Sequence, residues 1–346
     1  MLKIGPLSFG LPAVQAALSG YSDRAMRVVA RRWGAELTMS EVVLDQLVLL
    51  RGKLRDRMLE IGDDDHPIGG QLMGAEPDQF GRAAAEVVAH GYDLVDINFG
   101  CPVKKVLGRC RGGYLLTTPY AALDIVKSVL DHVGGRRPVT VKMRRGFDDS
   151  AESERNFFEI LDGAFDLGVA SITVHGRTVK QRYEGPSNRD FLTRVKRHAG
   201  TRTILGSGDV FAPEDVPAMM TATGVDGVWV ARGAIGNPFI FREIRALLEG
   251  RPLPPPPAVA EQREALHEHL RLTADVYGPD RAGVVMRKVC IRYADLHPCE
   301  EDVRRAFIQA RSSRDVEDAL QRWYDPATDW PPVRRVERGA VAALAE

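Results

Sequence analysis

TILGSGDVFAPEDVPAMMTATGVDGVWVARGA, residues 203–234, holds a short apolar run at 203–205, a glycine loop at 206–209, a second apolar run at 227–230 and a second glycine loop at 231–234. Two short strands separated by a spacer of helical length form a parallel βαβ unit, because parallel strands need a crossover connection. The alternation extends back to the N-terminus, with further strand-like runs at 13–18, 36–40, 67–72, 94–98, 139–143 and 171–174. Amphipathic stretches lie between them: Phe80, Ala84 and Val87 share one helical face, as do Phe158, Leu161 and Phe165. Eight repeats predict an α/β fold closed as a (β/α)8 TIM barrel, which leaves no sheet edge. A doubly wound open sheet is the alternative. It would place a GxGxxG turn after the first strand, and the chain has none there.

At 346 residues the chain exceeds the usual single core, so a second domain is expected beside the barrel, assigned to 1–250. The run Pro252, Leu253, Pro254, Pro255, Pro256 and Pro257 suits neither helix nor central strand, and marks an extended linker at 251–257. Helical patterns at 258–277, 281–296, 300–310 and 313–323 predict a small C-terminal helical bundle domain over 258–325. The tail, 326–346, carries proline and charge without periodicity and is expected to be partly disordered.

Apolar residues at 44% and charged residues at 27% describe an ordinary soluble protein. No apolar run reaches bilayer length, and the opening MLKIGPLSFG is unlike a signal peptide, so a cytoplasmic location without membrane is expected. Cys101, Cys110, Cys290 and Cys299 form no CxxC pair and no zinc spacing; free thiols and no metal follow. A net charge of zero excludes holding nucleic acid by bulk charge, so an RNA partner would need a local basic surface.

Barrels of this kind bind ligands at the carboxyl ends of the strands. Gln71 stands there on the third strand, and Asn98, Gly100, Cys101 and Pro102 on the fourth. Lys142, Arg144 and Arg145 follow on the fifth, His175 and Arg177 on the sixth, Ser207, Gly208 and Asp209 on the seventh, Ala231 and Arg232 on the eighth. Glycine loops after strands seven and eight suit a phosphate, because bare backbone N–H groups can approach the anion. Lys142 is either a snorkelling rim lysine or a cation facing an anionic group such as a reduced flavin. Gln71 suits the pyrimidine-like edge of that ring, or simply hydrogen-bonds the rim backbone. His175 is a core histidine or a ligand contact. Cys101 reads as catalytic rather than inert, since Lys104 and Lys105 stand close enough in sequence to favour its thiolate, and Cys110 reads as a bystander. Asp23 and Glu41 read as structural. Lys104, Lys105, Arg109, Arg111, Arg144, Arg145, Arg177, Lys180 and Arg182 spread positive charge over several loops of this face, a solvated face or a phosphodiester footprint.

Together these residues resemble the tRNA-dihydrouridine synthase family. Asp96-Ile-Asn98-Phe-Gly100-Cys101-Pro102-Val-Lys104-Lys105 is similar to its most diagnostic motif. Val141-Lys142-Met-Arg144, Val174-His175-Gly-Arg177, Gly206-Ser-Gly208-Asp209 and Ala231-Arg232-Gly233 follow in the family order. The opening Leu2-Lys-Ile-Gly5 and the segment Phe239-Ile-Phe241 resemble the bacterial B subfamily. The chain departs from the family at Ala17 and Leu18, where Pro-Met is usual, and at Ser207, where Asn is usual. The resemblance implies an FMN-dependent reduction of uridine to 5,6-dihydrouridine in tRNA with NADPH as reductant: hydride reaches uracil C6 from the flavin and Cys101 gives C5 its proton. FMN contacts implied are Ala16, Ala17, Leu18, Gln71, Lys142, His175, Ser207, Gly208, Asp209, Ala231 and Arg232. Asn98, Lys104, Lys105, Arg144 and Arg177 are implied for the substrate, whose base must leave the RNA stack, with the helical domain gripping the RNA. The alternatives are an FMN oxidoreductase acting on a free pyrimidine and a barrel that binds RNA without redox activity.

Overall fold

The computed structural model describes residues 1–336; the expected tail beyond 336 lies outside the described residues. The eight apolar runs are strands: β1 Ala13–Gln15, β2 Leu37–Met39, β3 Ile68–Met73, β4 Leu94–Phe99, β5 Val139–Arg144, β6 Ser171–His175, β7 Ile204–Ser207 and β8 Gly227–Val230. They pair parallel in chain order, β8 joins β1, and β2 joins β3 at Thr38 opposite Ile68, so the barrel is closed. Near-continuous apolar strands fit a parallel sheet covered on both faces. Closure is tight at β3: a Cβ on Gly69 would stand 2.4 Å from the Met39 methyl and 2.8 Å from Leu94, so only glycine fits between β2 and β4. The first strand is shorter than the 13–18 expected: the Ala16 N–H still donates to the Val230 carbonyl, but Ala17 and Leu18 leave the ladder and turn over the barrel's carboxyl end.

A hairpin of Leu2–Ile4 and Leu7–Phe9 precedes β1. Leu2, Ile4 and Phe9 are buried with Val14, Leu94, Leu205 and Trp229, so the hairpin closes the amino end of the barrel. Helix Arg24–Arg32 starts at Asp23, whose carboxylate accepts the Met26 N–H as an N-cap. Arg27 on this helix is buried and paired with Asp65, which is itself fully buried.

The prolines after Arg251 are extended, and helices Val259–Tyr277, Pro279–Ala294, Glu300–Gln309 and Ser313–Trp323 follow. The second of these starts two residues before the expected 281, because Pro279 supplies a first-turn φ and needs no N–H partner there. The core of these helices includes Ala25, Val28, Val29 and Phe239, so barrel and helices share buried apolar surface. Residues 325–336 lack regular structure but are packed: Val333 is buried, its N–H donates to the Pro257 carbonyl, and Arg335 pairs with buried Glu243. Among the described residues no helix is long and apolar enough to cross a membrane.

Candidate active site

The carboxyl ends of the strands surround a cavity of about 230 Å³. Ala16, Ala17, Leu18, Gln71, Asn98, Cys101, Lys142, Arg144, His175, Ser207, Gly208, Asp209, Ala231 and Arg232 all line it. Lys104, Lys105 and Arg177 do not. Lys104 and Lys105 are exposed on a short helix, Lys104–Leu107, beside the rim. Arg177 is buried, with its guanidinium on the Asp209 carboxylate at 2.7 and 2.8 Å and on the Gly185 carbonyl.

β3 and β4 pair with Gln71 opposite Asp96, and β4 and β5 pair with Asn98 opposite Lys142. That register joins the polar side chains of β3 and β4. Gln71 Nε2 donates to Asp96 Oδ2 at 2.7 Å, Asn98 Nδ2 donates to Gln71 Oε1 at 2.8 Å, and Asn98 Oδ1 accepts the N–H groups of Gly100 and Cys101 at 2.9 and 3.0 Å. The Asn98 bonds fold the Gly100-Cys101-Pro102 turn over the end of its own strand. Cys101 is partly exposed and lines the cavity; Cys110 is exposed on the rim loop in a left-handed backbone conformation at φ 56°.

Lys142 stands over the Trp229 ring at 5.7 Å. Burial, and then the neighbouring Arg144 charge, push its ammonium down to about 8, with Asp96 and Cys101 opposing. Burial likewise lowers Arg144 to about 10. Arg144 is spent on the protein: its Nε donates to the Gly100 carbonyl at 2.9 Å, and its Nη1 donates to the Thr178 and Arg182 carbonyls. His175 is held well below its ordinary range by burial and by the charges of Lys142, Arg144, Arg177 and Arg232, so its imidazole is neutral. Its Nδ1 faces Ser207 Oγ at 3.4 Å, and its buried Nε2 has no partner. Arg232 lies over Phe211 at 4.8 Å and Tyr183 at 5.0 Å, and its charge is 3.8 Å from Asp209.

These features fit a flat, partly anionic heteroaromatic group. A half-buried cation and an unsatisfied neutral imidazole face the cavity, and buried polar atoms such as His175 Nε2 normally have partners. Gly208 has φ +115°, and a Cβ there would stand 2.6 Å from Ser187 Oγ, so the backbone approaches the cavity bare.

A family profile described as dihydrouridine synthase matches residues 14–327. The chain belongs to the dihydrouridine synthase family. The expected B subfamily is borne out by its relatives. tRNA-dihydrouridine synthase B of Xanthomonas axonopodis pv. citri is 34% identical over 93% of this chain and 95% of that protein. The same enzyme of Escherichia coli K12 is 33% identical over 94% and 99%. A probable tRNA-dihydrouridine synthase of Mycobacterium tuberculosis is 32% identical over 93% and 84%. Among solved structures, histamine dehydrogenase from Rhizobium sp. 4-9 superposes with a TM-score of 0.55 at 14% identity, over 72% of this chain and 47% of that one. An amine oxidase from Pseudomonas geniculata N1 gives 0.57 at 13%, over 72% and 49%. The chain spans about half the length of these two proteins, and the likeness concerns the barrel fold.

No local sequence signal marks Asp96, which lies behind Gln71 and off the cavity, or the aromatic wall of Tyr183, Phe211 and Trp229. Trp229 lies within an apolar strand, where an aromatic reads as core, and nothing local announces that it meets Lys142.

The depressed Lys142 has a measurable consequence for stability. Below about pH 8 the lysine is protonated folded and unfolded, and the folded state bears the full cost of the buried charge. Between 8 and the ordinary 10.5 the unfolded chain binds more protons, so wild-type stability rises with pH, by at most about 1.4 kcal/mol per unit from this group. Lys142→Met removes that dependence. Stripped of ligand, the variant is expected to exceed wild type in stability at neutral pH and to lose the advantage near pH 10.5. Urea unfolding of both proteins at the two pH values checks this; a pH-independent difference excludes it.

Proposed function

We propose that this protein reduces uridine in tRNA to 5,6-dihydrouridine, with FMN as cofactor, NADPH as reductant and Cys101 as the proton donor. The observation that carries the reading is the convergence of a thiol, a half-buried ammonium, a neutral imidazole and a bare glycine backbone in one cavity at the barrel's carboxyl end. Bound FMN supplies the hydride. Lys142, His175 and Gln71 would hold the polar edge of its ring, and Gly208, Ala231 and Arg232 would hold its phosphate, since all six line the cavity. Ala16, Ala17, Leu18 and Ser207 form the surrounding wall, and Asp209 orders the strand-seven loop through Arg177 and the Ser187 N–H. Cys101 holds a proton for uracil C5. Asn98 presents its remaining amide N–H toward the base, and Arg144 and Arg177 brace the loops that cover it. The aromatic wall excludes water from the flipped base.

In this reading the RNA crosses the barrel rim and the helical domain, 258–325, which the linker 251–257 joins to the barrel. Lys104, Lys105 and Arg109 are exposed and make no ion pair among the described residues, so they are free to meet phosphates. Lys180, by contrast, is paired with Asp148, and Arg145 with Asp149.

The test is direct. Purified protein is expected to be yellow, to release FMN on denaturation, and to be reoxidised after NADPH reduction by unmodified tRNA but not by free uridine monophosphate. A colourless protein that cannot be loaded with FMN overturns the redox reading, and reoxidation by the free nucleotide overturns the RNA reading. Binding of tRNA should weaken with salt, and charge reversal at Lys104 and Lys105 should lower the slope of log affinity against log salt by about one per lysine. An unchanged slope removes both lysines from the footprint.

A further inference from the structure

We propose that Asp96, which does not line the cavity, is a positioning residue that fixes the orientation of the Gln71 and Asn98 amides and thereby the placement of the Cys101 thiol. The proposal rests on the reading of Cys101 as proton donor.

The chain of contacts has a single polarity. An ionised carboxylate only accepts hydrogen bonds. Asp96 accepts from Thr140 Oγ1 at 2.5 Å on one oxygen and from Gln71 Nε2 at 2.7 Å on the other. Gln71 must therefore turn its oxygen toward Asn98, and Asn98 must meet it with Nδ2. Only then is Asn98 Oδ1 left for the N–H groups of Gly100 and Cys101. Reversing either amide would set donor against donor or acceptor against acceptor. Gln71 and Asn98 can each rotate to offer either face; Asp96 in its ionised form cannot, so it fixes the direction of the chain from the Gln71 end, as the Gly100 and Cys101 N–H groups do from the Asn98 end. The carboxyl is fully buried. Burial raises it to about 6 while Thr140, Gln71 and Lys142 oppose, which leaves it mostly ionised at neutral pH.

Two substitutions separate orientation from charge and from bulk. Asp96→Asn can keep the polarity: its oxygen accepts from Gln71, and its amide faces Thr140 Oγ1, whose hydrogen turns to the Val95 carbonyl already at 3.5 Å. Asp96→Leu keeps the approximate shape but leaves Gln71 Nε2 without an acceptor, so the Gln71 amide is released and Asn98 Nδ2 loses a fixed partner. Flavin-loaded variants would be reduced with NADPH and then mixed with saturating unmodified tRNA, with rates referred to flavin content and tRNA affinity measured separately. In D96L the tRNA-driven reoxidation is expected to fall ten- to a hundredfold, and further than flavin reduction, which the released Gln71 amide also touches, while tRNA affinity stays within threefold of wild type. D96N is expected to restore reoxidation to within about threefold.

If D96L slows both half-reactions alike, Asp96 is a general structural residue and the proposal is overturned. If D96N is tenfold slow or worse, the charge matters rather than the orientation, and the proposal is again overturned. That D96N result decides even if D96L does not fold. Alkylation of Cys101 gives a readout apart from turnover: its rate should change in D96L and return in D96N, with fully buried Cys290 remaining unlabelled as a check on folding. Cys101→Ala run in parallel distinguishes failure of the parent reading, because an undiminished reoxidation rate there removes Cys101 itself from the reaction.

Discussion

Replacement of Cys101 by alanine is expected to slow tRNA-driven reoxidation of the flavin by roughly two to four powers of ten, the usual worth of a positioned general acid. Reduction of the flavin by NADPH should stay within a few-fold of wild type, because that half-reaction uses no protein proton from the thiol. The structure gives the substitution little else to disturb: Cys101 is held by its backbone N–H on Asn98, a bond that alanine keeps. Cys110→Ala is the matched control. Its thiol is exposed on the rim loop and does not line the cavity, so its effect should remain below about threefold. Rapid mixing of the pre-reduced enzymes with tRNA measures both. A normal rate in C101A with a stalled C110A would transfer the role to the rim loop.

The second large effect concerns stability. Arg27 and Asp65 are 2% and 0% exposed, and the guanidinium meets the carboxylate through Nε at 3.1 Å and Nη2 at 2.5 Å. Nη1 and Nη2 also donate to the Ser22 and Glu60 carbonyls. Burial alone would depress the guanidinium; the carboxylate more than offsets this and holds Arg27 above its usual range. Arg27→Met strands a buried carboxylate and should lower the unfolding free energy by about 3–5 kcal/mol. Replacing both partners, R27M with D65L, should recover a large part of that loss, since no charge is then left alone. Urea midpoints of the three proteins decide it; a double variant as unstable as the single one shows that packing rather than charge dominates. The helix involved also carries Ala25, Val28 and Val29 into the core of the C-terminal helices, so its loss would loosen both parts of the molecule.

The barrel was legible because its strands are buried on both faces, and such strands appear as short apolar runs bounded by turn residues. All eight therefore start within a residue of their expected positions, and the one that ends early, β1, shows where this reading stops. Ala16, Ala17 and Leu18 are as apolar as a strand, yet they face the cavity, and apolarity does not distinguish a ladder from a ligand wall. The N-terminal hairpin escaped because its strands have three residues each, too few to display alternation. Motif residues such as Lys142 and His175 could be placed from strand ends alone. What could not be placed was anything depending on register: that Gln71 faces Asp96, or that Arg177 turns to Asp209 and away from the cavity. Those follow from strand stagger and loop return, which no local spacing encodes.

The hairpin that closes the amino end has a kinetic consequence. With Leu2, Ile4 and Phe9 buried beneath the strands, the barrel opens, among the described residues, where Cys101 and Lys142 stand. A hydride donor and a macromolecular substrate that act on the same cavity must then come and go by a single doorway, one after the other. On the proposed reading the two visitors exclude each other, so turnover is expected to proceed by substitution, with excess of either reactant inhibiting the other competitively.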